Sequence, residues 1–215
     1  MKKVSILIDG EWFRRSLENS TALKGKLPNG ITADVMYRNC LLALDKKEEE
    51  LFRVFYYDCP PYAGTHTNPI DNTKINFKLQ KKHQSRSLFL AEMKKKDFVA
   101  MRLGTAKQRG WTLTNNYSIQ AITNTAAVKP PTAKDVFLSL EQKGVDMRIG
   151  IDVATLSLKR IVDKIILISG DTDMIPAMKL ARREGVQVIL VEVDQSLSKS
   201  LDEDADLVRK IRPTP

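Results

Sequence analysis

Two apolar runs in this sequence stop abruptly at a small-residue turn that carries acid. Val4-Ser5-Ile6-Leu7-Ile8 leads into Asp9-Gly10, and Ile165-Ile166-Leu167-Ile168 leads into Ser169-Gly170-Asp171-Thr172-Asp173. A buried strand that ends this way delivers a carboxylate to one edge of a sheet. Neighbouring strands lie about 4.8 Å apart, so carboxylates delivered by adjacent strands crowd, and crowded carboxylates either share a proton or hold a cation. Hard oxygen donors favour Mg2+ or Mn2+. Asp152, at the predicted start of a helix that packs back on the sheet, can join Asp9 and Asp171, with Asp146 and Asp173 as further candidates. Six residues separate Asp146 from Asp152, which is not a same-face helical spacing. If one continuous helix holds both, they cannot both bind one ion directly.

Each acid also has a plainer role to play. Thr172 or Asp173 can cap the helix that contains Pro176, Asp152 can cap its own helix, and Asp9 can start a turn with Gly10. Ser169 can hold a carboxylate or a water, or serve as a turn hydrogen-bonder. Arg148 can reach a phosphate or pair with Asp146 or Asp152. Capping explains any one acid more easily than it explains the set.

The elements that must position these groups follow from pattern. Helical character is expected over Glu11 to Asn19, and again beyond Asp34, an N-cap candidate, where Met36, Cys40, Ala43 and Leu44 recur at helical spacing. A solvated run, Asp45 to Glu50, precedes an aromatic strand from Leu51 to Asp58 that Pro60-Pro61 stops. Ala63 to Asn72 reads as a loop, and Phe77 to Lys96 as one or two basic helices interrupted near Ser85. Phe98 to Leu103 suits a strand, Trp111 to Ile122 an extension or hairpin, Asn124 to Thr132 a linker, and Val136 to Gln142 a short amphipathic piece.

A helix from about Asp152 to Arg160 precedes the strand at Ile165, Gly185 ends the helix containing Pro176, and Val186 to Val193 is a further buried strand. Leu197, Leu201, Ala205 and Val208 mark a closing helix. Strands alternating with helices imply an α/β fold with a mainly parallel central sheet and helices on both faces. In such a sheet ligands bind at the carboxyl ends of strands, where strand order reverses. The expected organisation is one domain over residues 1–215 with a basic helical and loop insertion at about 59–97.

At 215 residues, with 42% hydrophobic and 28% charged residues, the chain can bury a sizeable core. Its apolar stretches are strand-sized, so neither a spanning helix nor a signal peptide is expected, and the cytoplasm is the default address. Cys40 and Cys59 lack zinc or disulfide spacing, and His66 and His83 lack ligand-type companions. A net charge of +9 favours a polyanionic partner, nucleic acid above all. The charge is unevenly spread: Lys74, Lys78, Lys81, Lys82, Arg86, Lys94, Lys95, Lys96, Arg102, Lys107 and Arg109 face only Glu92 and Asp97 in that stretch.

Taken in order, Ile8-Asp9-Gly10-Glu11, Lys143-Gly144-Val145-Asp146 with Asp152, and Ser169-Gly170-Asp171-Thr172-Asp173 with Pro176 resemble the NYN domain, a branch of the PIN-like nucleases. Tyr56-Tyr57-Asp58 with Pro60-Pro61, and Leu201 to Asp206, resemble its bacterial LabA-like subgroup. The resemblance implies a PIN-like α/β/α sandwich whose acidic cluster binds Mg2+ or Mn2+ and hydrolyses RNA phosphodiesters. Asp9, Asp152 and Asp171 would then be the core metal-binding and catalytic carboxylates, with Asp146 and Asp173 assisting. Trp12 stands where the family often has asparagine.

RNA is therefore the expected partner. Lys78, Lys81, Lys82 and Arg86 are candidates for one flank of a cleft, Arg148 and Ser169 for contacts near the scissile bond, and Trp12 for base stacking. The Trp12 departure motivates a second reading, an RNA-binding or adaptor protein of the same fold with little or no turnover. A metabolite phosphohydrolase is disfavoured, because Asp9-Gly10-Glu11 lacks the second aspartate of enzymes with a carboxylate nucleophile. The sequence leaves oligomeric state open, a homodimer included.

Overall fold

The computed structural model describes residues 1–123, 129–194 and 199–215. The chain forms two compact units. One comprises Met1–Asp58, Phe89–Gly104 and Gly144–Pro215; the other comprises Cys59–Leu88 and Thr105–Lys143.

In chain order the elements are β1 (Lys2–Asp9), α1 (Gly10–Asn19), α2 (Ala33–Leu41), β2 (Glu49–Asp58), β3 (Thr65–Thr67), β4 (Lys74–Asn76), α3 (Lys81–Lys94), β5 (Val99–Leu103), β6 (Thr105–Leu113), α4 (Asn115–Thr123), β7 (Val136–Lys143), α5 (Val145–Leu158), β8 (Lys164–Ile168), α6 (Ile175–Arg183), β9 (Gln187–Val193), α7 (Lys199–Asp202) and β10 (Leu207–Ile211). Single 3-10 turns cover Phe77–Leu79 and Thr172–Met174.

The first unit carries a six-stranded sheet in the order β10-β9-β8-β1-β2-β5, and every pairing in it is parallel. The chain builds outward from β1 to β2 and β5 on one side, and through β8, β9 and β10 on the other, so strand order reverses between β1 and β8. Residues 4–8 of β1 and 165–168 of β8 are buried without alternation, as strands covered on both faces must be. On one face Ile6, Ile8, Val54, Tyr56, Ile166 and Val191 pack with Phe13 and Leu17 of α1, Met36 and Cys40 of α2, and Phe89 and Met93 of α3. Helices α5 and α6 complete the sandwich, α5 touching β2 and α6 touching β9.

An ion cluster ties the first residues of β2 and β8 to the middle of β10. The fully buried Glu49 carboxylate accepts from Lys164 Nζ at 2.9 Å and from Arg209 Nη1 and Nη2 at 2.9 and 3.0 Å. Asn39 fixes the chain end: its side chain donates to Thr214 O and accepts from Thr214 N, both at 2.8 Å.

The second unit holds an antiparallel β3–β4 pair and an antiparallel β6–β7 ribbon, the latter irregular between Gln108 and Gly110. Tyr62, His66 and Phe77 cluster within it, with Tyr62 Oη 2.7 Å from His66 Nε2.

Several expectations require correction. Val136 to Gln142 is strand β7, and the extension predicted from Trp111 ends at Leu113, where Asn115 to Thr123 turns helical. The break expected near Ser85 is absent: α3 runs unbroken over Lys81–Lys94 after the 3-10 turn. Glu49 and Glu50 belong to β2, not to a solvated run, because two cations neutralise Glu49. Thr32, not Asp34, caps α2 by accepting from Val35 N. The closing helix is confined to α7, and Val208 lies in β10, where pairing with β9 outweighs helical spacing. Leu197 and residues 124–128 of the expected linker lie outside the described residues.

Candidate active site

Asp9 is the last residue of β1 and the N-cap of α1, its Oδ1 accepting from Trp12 N at 3.1 Å. Asp171 follows β8 and caps the 3-10 turn, accepting from Asp173 N at 2.9 Å. Neither Thr172 nor Asp173 caps the helix containing Pro176: α6 starts from Met174 with no side-chain cap, because the 3-10 turn capped by Asp171 leads directly into it. Because β1 and β8 are neighbours, with Ile8 opposite Ile168, both acids stand at the edge where strand order reverses.

Asp146 comes to this edge from the first turn of α5. Gly144 begins that helix with φ +78, a left-handed conformation that side chains other than glycine's resist. The helix starts earlier than the sequence suggests, so Asp152 lies in its middle and caps nothing. Asp146 and Asp152 therefore share one helix, and six residues at 100° each turn their side chains roughly 120° apart.

The two acids accordingly meet different company. The Asp146 carboxyl is raised above its ordinary range by partial burial and then by the charges of Asp171 and Asp173. Burial pushes Asp9 up to about 6 against the opposing hydrogen bond from Trp12, and Asp146, Asp58 and Glu11 push it further in the same direction. These mutual influences mark Asp9, Asp146, Asp171 and Asp173 as one electrostatic neighbourhood. Asp152 Oδ2 instead accepts from Tyr57 Oη at 2.8 Å and from Arg102 Nε at 2.7 Å.

Sequence reasoning overlooked the β2 side of the site. Tyr56 and Tyr57 are fully buried, as core packing predicts, yet their hydroxyls serve carboxylates on opposite faces of the strand. Tyr56 donates to Asp58 Oδ2 at 2.8 Å, and Tyr57 donates to Asp152. Asp58 is only 1% exposed and lies close under Gly10, where an added Cβ would fall 2.8 Å from Asp58 Oδ2 and inside the Tyr56 phenol. The signal was legible: Tyr-Tyr-Asp ends a strand at the same edge as Asp9.

The remaining candidates divide by unit. Trp12 is half-buried against the core with its indole over Gly170, where even a methyl group would collide with it. Ser169 is buried, its hydroxyl accepting from Asp171 N at 3.2 Å. Arg148 is exposed and donates from Nε to Leu103 O at 3.1 Å. Lys78, Lys81, Lys82 and Arg86 belong to the second unit. The first three are exposed, with no acidic partner among the described residues, while Arg86 is half-buried. Elsewhere in the basic stretch Lys95 pairs with Glu92, Lys96 with Asp34, and Arg109 with Glu141.

The donor set of the neighbourhood is all carboxylate oxygen and mutually repelling, and among the described residues none of Asp9, Asp146, Asp171 and Asp173 is in an ion pair, which suits a hard divalent cation. Among the described residues no three such ligand side chains already stand close enough to hold an ion. Nor, among them, is any helix long and apolar enough to cross a membrane.

The NYN domain family model matches residues 70–211, well over half the chain, so Asp146, Asp152, Asp171 and Asp173 lie within the match and Asp9 precedes it. No curated protein matches. Among solved structures, a protein of unknown function from Vibrio parahaemolyticus is 16% identical over 98% of this chain and 93% of that chain, with a TM-score of 0.49. A Thermotoga maritima protein is 12% identical over 97% and 92%, with a TM-score of 0.30.

Proposed function

We propose, from the premise that this chain belongs to the NYN domain family of PIN-like, nuclease-type domains, that it is a metal-dependent ribonuclease hydrolysing RNA phosphodiester bonds. The observation that carries the proposal is the electrostatic neighbourhood of Asp9, Asp146, Asp171 and Asp173 at the switch point of a parallel sheet. These four would hold Mg2+ or Mn2+. Such an ion, when bound, would supply charge neutralisation at the phosphate and a more acidic water.

The chain's own residues do the rest. Capping hydrogen bonds from Trp12 N and Asp173 N hold one oxygen each of Asp9 and Asp171, which limits the side-chain freedom lost when the acids close on an ion. One of these carboxylates takes the proton of the attacking water. In-line attack forms the new P–O bond as the P–O3′ bond breaks, and the departing 3′ oxygen takes a proton from solvent, leaving 5′-phosphate and 3′-hydroxyl ends. Asp152, held by Tyr57 and Arg102, acts as a positioning residue in this reading rather than as a ligand of the ion. Lys78, Lys81, Lys82 and Arg86 strengthen the attraction for RNA, and Trp12 and Ser169 shape the floor of the site. The protein acts in the cytoplasm as a single domain with a basic insertion, of the LabA-like subgroup.

The test is cleavage of labelled RNA with Mn2+ by the wild-type chain and by Asp171→Asn. Cleavage lost in the variant, with its melting curve intact, supports the proposal. A second reading, RNA binding without turnover, draws on the engagement of Asp152 by Arg102 and Tyr57 and on the seating of Trp12 against Gly170. Salt-sensitive RNA binding with no Mn2+-dependent cleavage would favour it.

A further inference from the structure

We infer that Arg102 and Arg148 form a two-arginine clamp for an RNA phosphate next to the scissile one, at the carboxyl end of β5. The inference rests on RNA being the ligand, as proposed above. Asp9, Tyr57 and Arg102 are successive register partners across β1, β2 and β5, which sets Arg102 on the same sheet edge as Asp9. Two strand spacings put the Arg102 backbone about 10 Å from that of Asp9.

Both guanidiniums are anchored in the same way. Arg102 donates from Nε to Asp152, and its guanidinium carbon lies 4.8 Å from the Phe55 ring centroid. Arg148 donates from Nε to the carbonyl of Leu103, the residue after Arg102. Among the described residues, neither has a hydrogen-bond acceptor for its Nη groups. Arg102 keeps 36% of its side chain exposed, and Arg148 is exposed. An arginine fixed at Nε presents its remaining N–H groups as a preoriented fork, the geometry that takes phosphate oxygens in pairs.

A purely structural counter-ion for Asp152 would explain Arg102 but not Arg148, which neutralises no acid in the described residues. Tyr57 supports the same function at one remove, since its hydrogen bond to Asp152 Oδ2 fixes the anchor of Arg102.

The test is binding of a fluorescent single-stranded RNA to the full-length chain in EDTA across a KCl series. It uses Arg102→Met, Arg148→Met, the double variant and the charge-preserving Arg102→Lys and Arg148→Lys. Each methionine variant is expected to bind about ten-fold more weakly. The slope of log K against log salt should shrink by about 0.7 per arginine removed, and the lysines should restore it. Wild-type binding with slopes unchanged in the methionine variants overturns the clamp alone, and Mn2+-dependent cleavage by the wild type then leaves the ribonuclease reading standing. Absence of any wild-type RNA binding in EDTA also overturns the clamp, and absence of cleavage in Mn2+ as well removes the ribonuclease reading with it. Circular-dichroism melting separates misfolding from lost contact: a methionine variant that unfolds is read through its lysine counterpart, whose weakened affinity at full slope supports the fork geometry.

Discussion

Asp146 and Asp152 occupy one helix yet serve different partners, Asp146 facing the charges of Asp171 and Asp173 while Asp152 accepts from Tyr57 and Arg102. The helical period forces the division. It predicts that the two acids differ in their response to substitution. In Mn2+ titrations followed by calorimetry, Asp146→Asn and Asp171→Asn should each weaken binding at least about ten-fold, on the order of 1.4 kcal/mol. Asp152→Asn should change it little. Loss of Mn2+ affinity in Asp152→Asn would show that the Tyr57–Arg102 arrangement is not the one that binds the ion.

Asp9 should make the metal-free fold less stable at neutral pH. Its carboxyl titrates near 6 in the folded chain, above its ordinary 3.8, so the protonated form is favoured by folding. The stabilisation is complete below the ordinary value and is lost as pH rises through about 6. Asparagine caps as well as aspartate. In EDTA at pH 8, Asp9→Asn should therefore be more stable than wild type, by on the order of 2 kcal/mol after solvent screening. The two should converge toward pH 4. Urea denaturation at both pH values checks this.

Glu49 carries the opposite sign. Burial raises its carboxyl, but the hydrogen bonds from Arg209, the Asp45 amide and Lys164 together outweigh burial and hold it at about 2 instead of 4.5. Its contribution is present above pH 4.5 and disappears as pH falls through about 2. Glu49→Gln leaves Lys164 and Arg209 without their anion and should cost about 3 kcal/mol at pH 7. The variant should also lose less stability than wild type on going from pH 5 to pH 2, as read by chemical denaturation in acid.

Gly170 admits the Trp12 indole by having no side chain. Gly170→Ala should displace the ring and cost about 1–3 kcal/mol by overpacking. With Trp111 replaced by phenylalanine, the remaining Trp12 fluorescence should shift to the red. An unshifted spectrum and unchanged stability would mean that the ring does not rest there in solution.

Tyr57→Phe removes one of two donors to Asp152 Oδ2 from a buried position. A loss of about 1–2 kcal/mol in unfolding free energy is expected, measured by denaturant titration. The same change at Tyr56, whose hydroxyl meets Asp58, should cost a similar amount.

Much of the fold could be read from local pattern. The apolar runs at 4–8, 165–168 and 188–191 are continuous because parallel strands are covered on both faces, and helix positions read from Pro176 and Gly185 follow from backbone chemistry that needs no tertiary partner. The β6–β7 ribbon was harder. Its exposed positions fall irregularly, and its pairing joins residues as distant as Thr105 and Lys143. Likewise Leu201, Ala205 and Val208 keep helical spacing, but Val208 pairs with Leu190 in the sheet, and ladder hydrogen bonds override a weak local preference.

What the sequence by itself determined is the supply of acid: strands that must be buried end in Asp9 and before Asp171, and chain connectivity sends both to one edge. What only tertiary structure decided is the use of each acid. Asp152 is neutralised by Arg102, 50 residues away, and it receives Tyr57 because β2 and β5 lie side by side. No short-range pattern encodes that adjacency, since charge pairing depends on distance in space, and distance in space is settled only when the sheet has assembled.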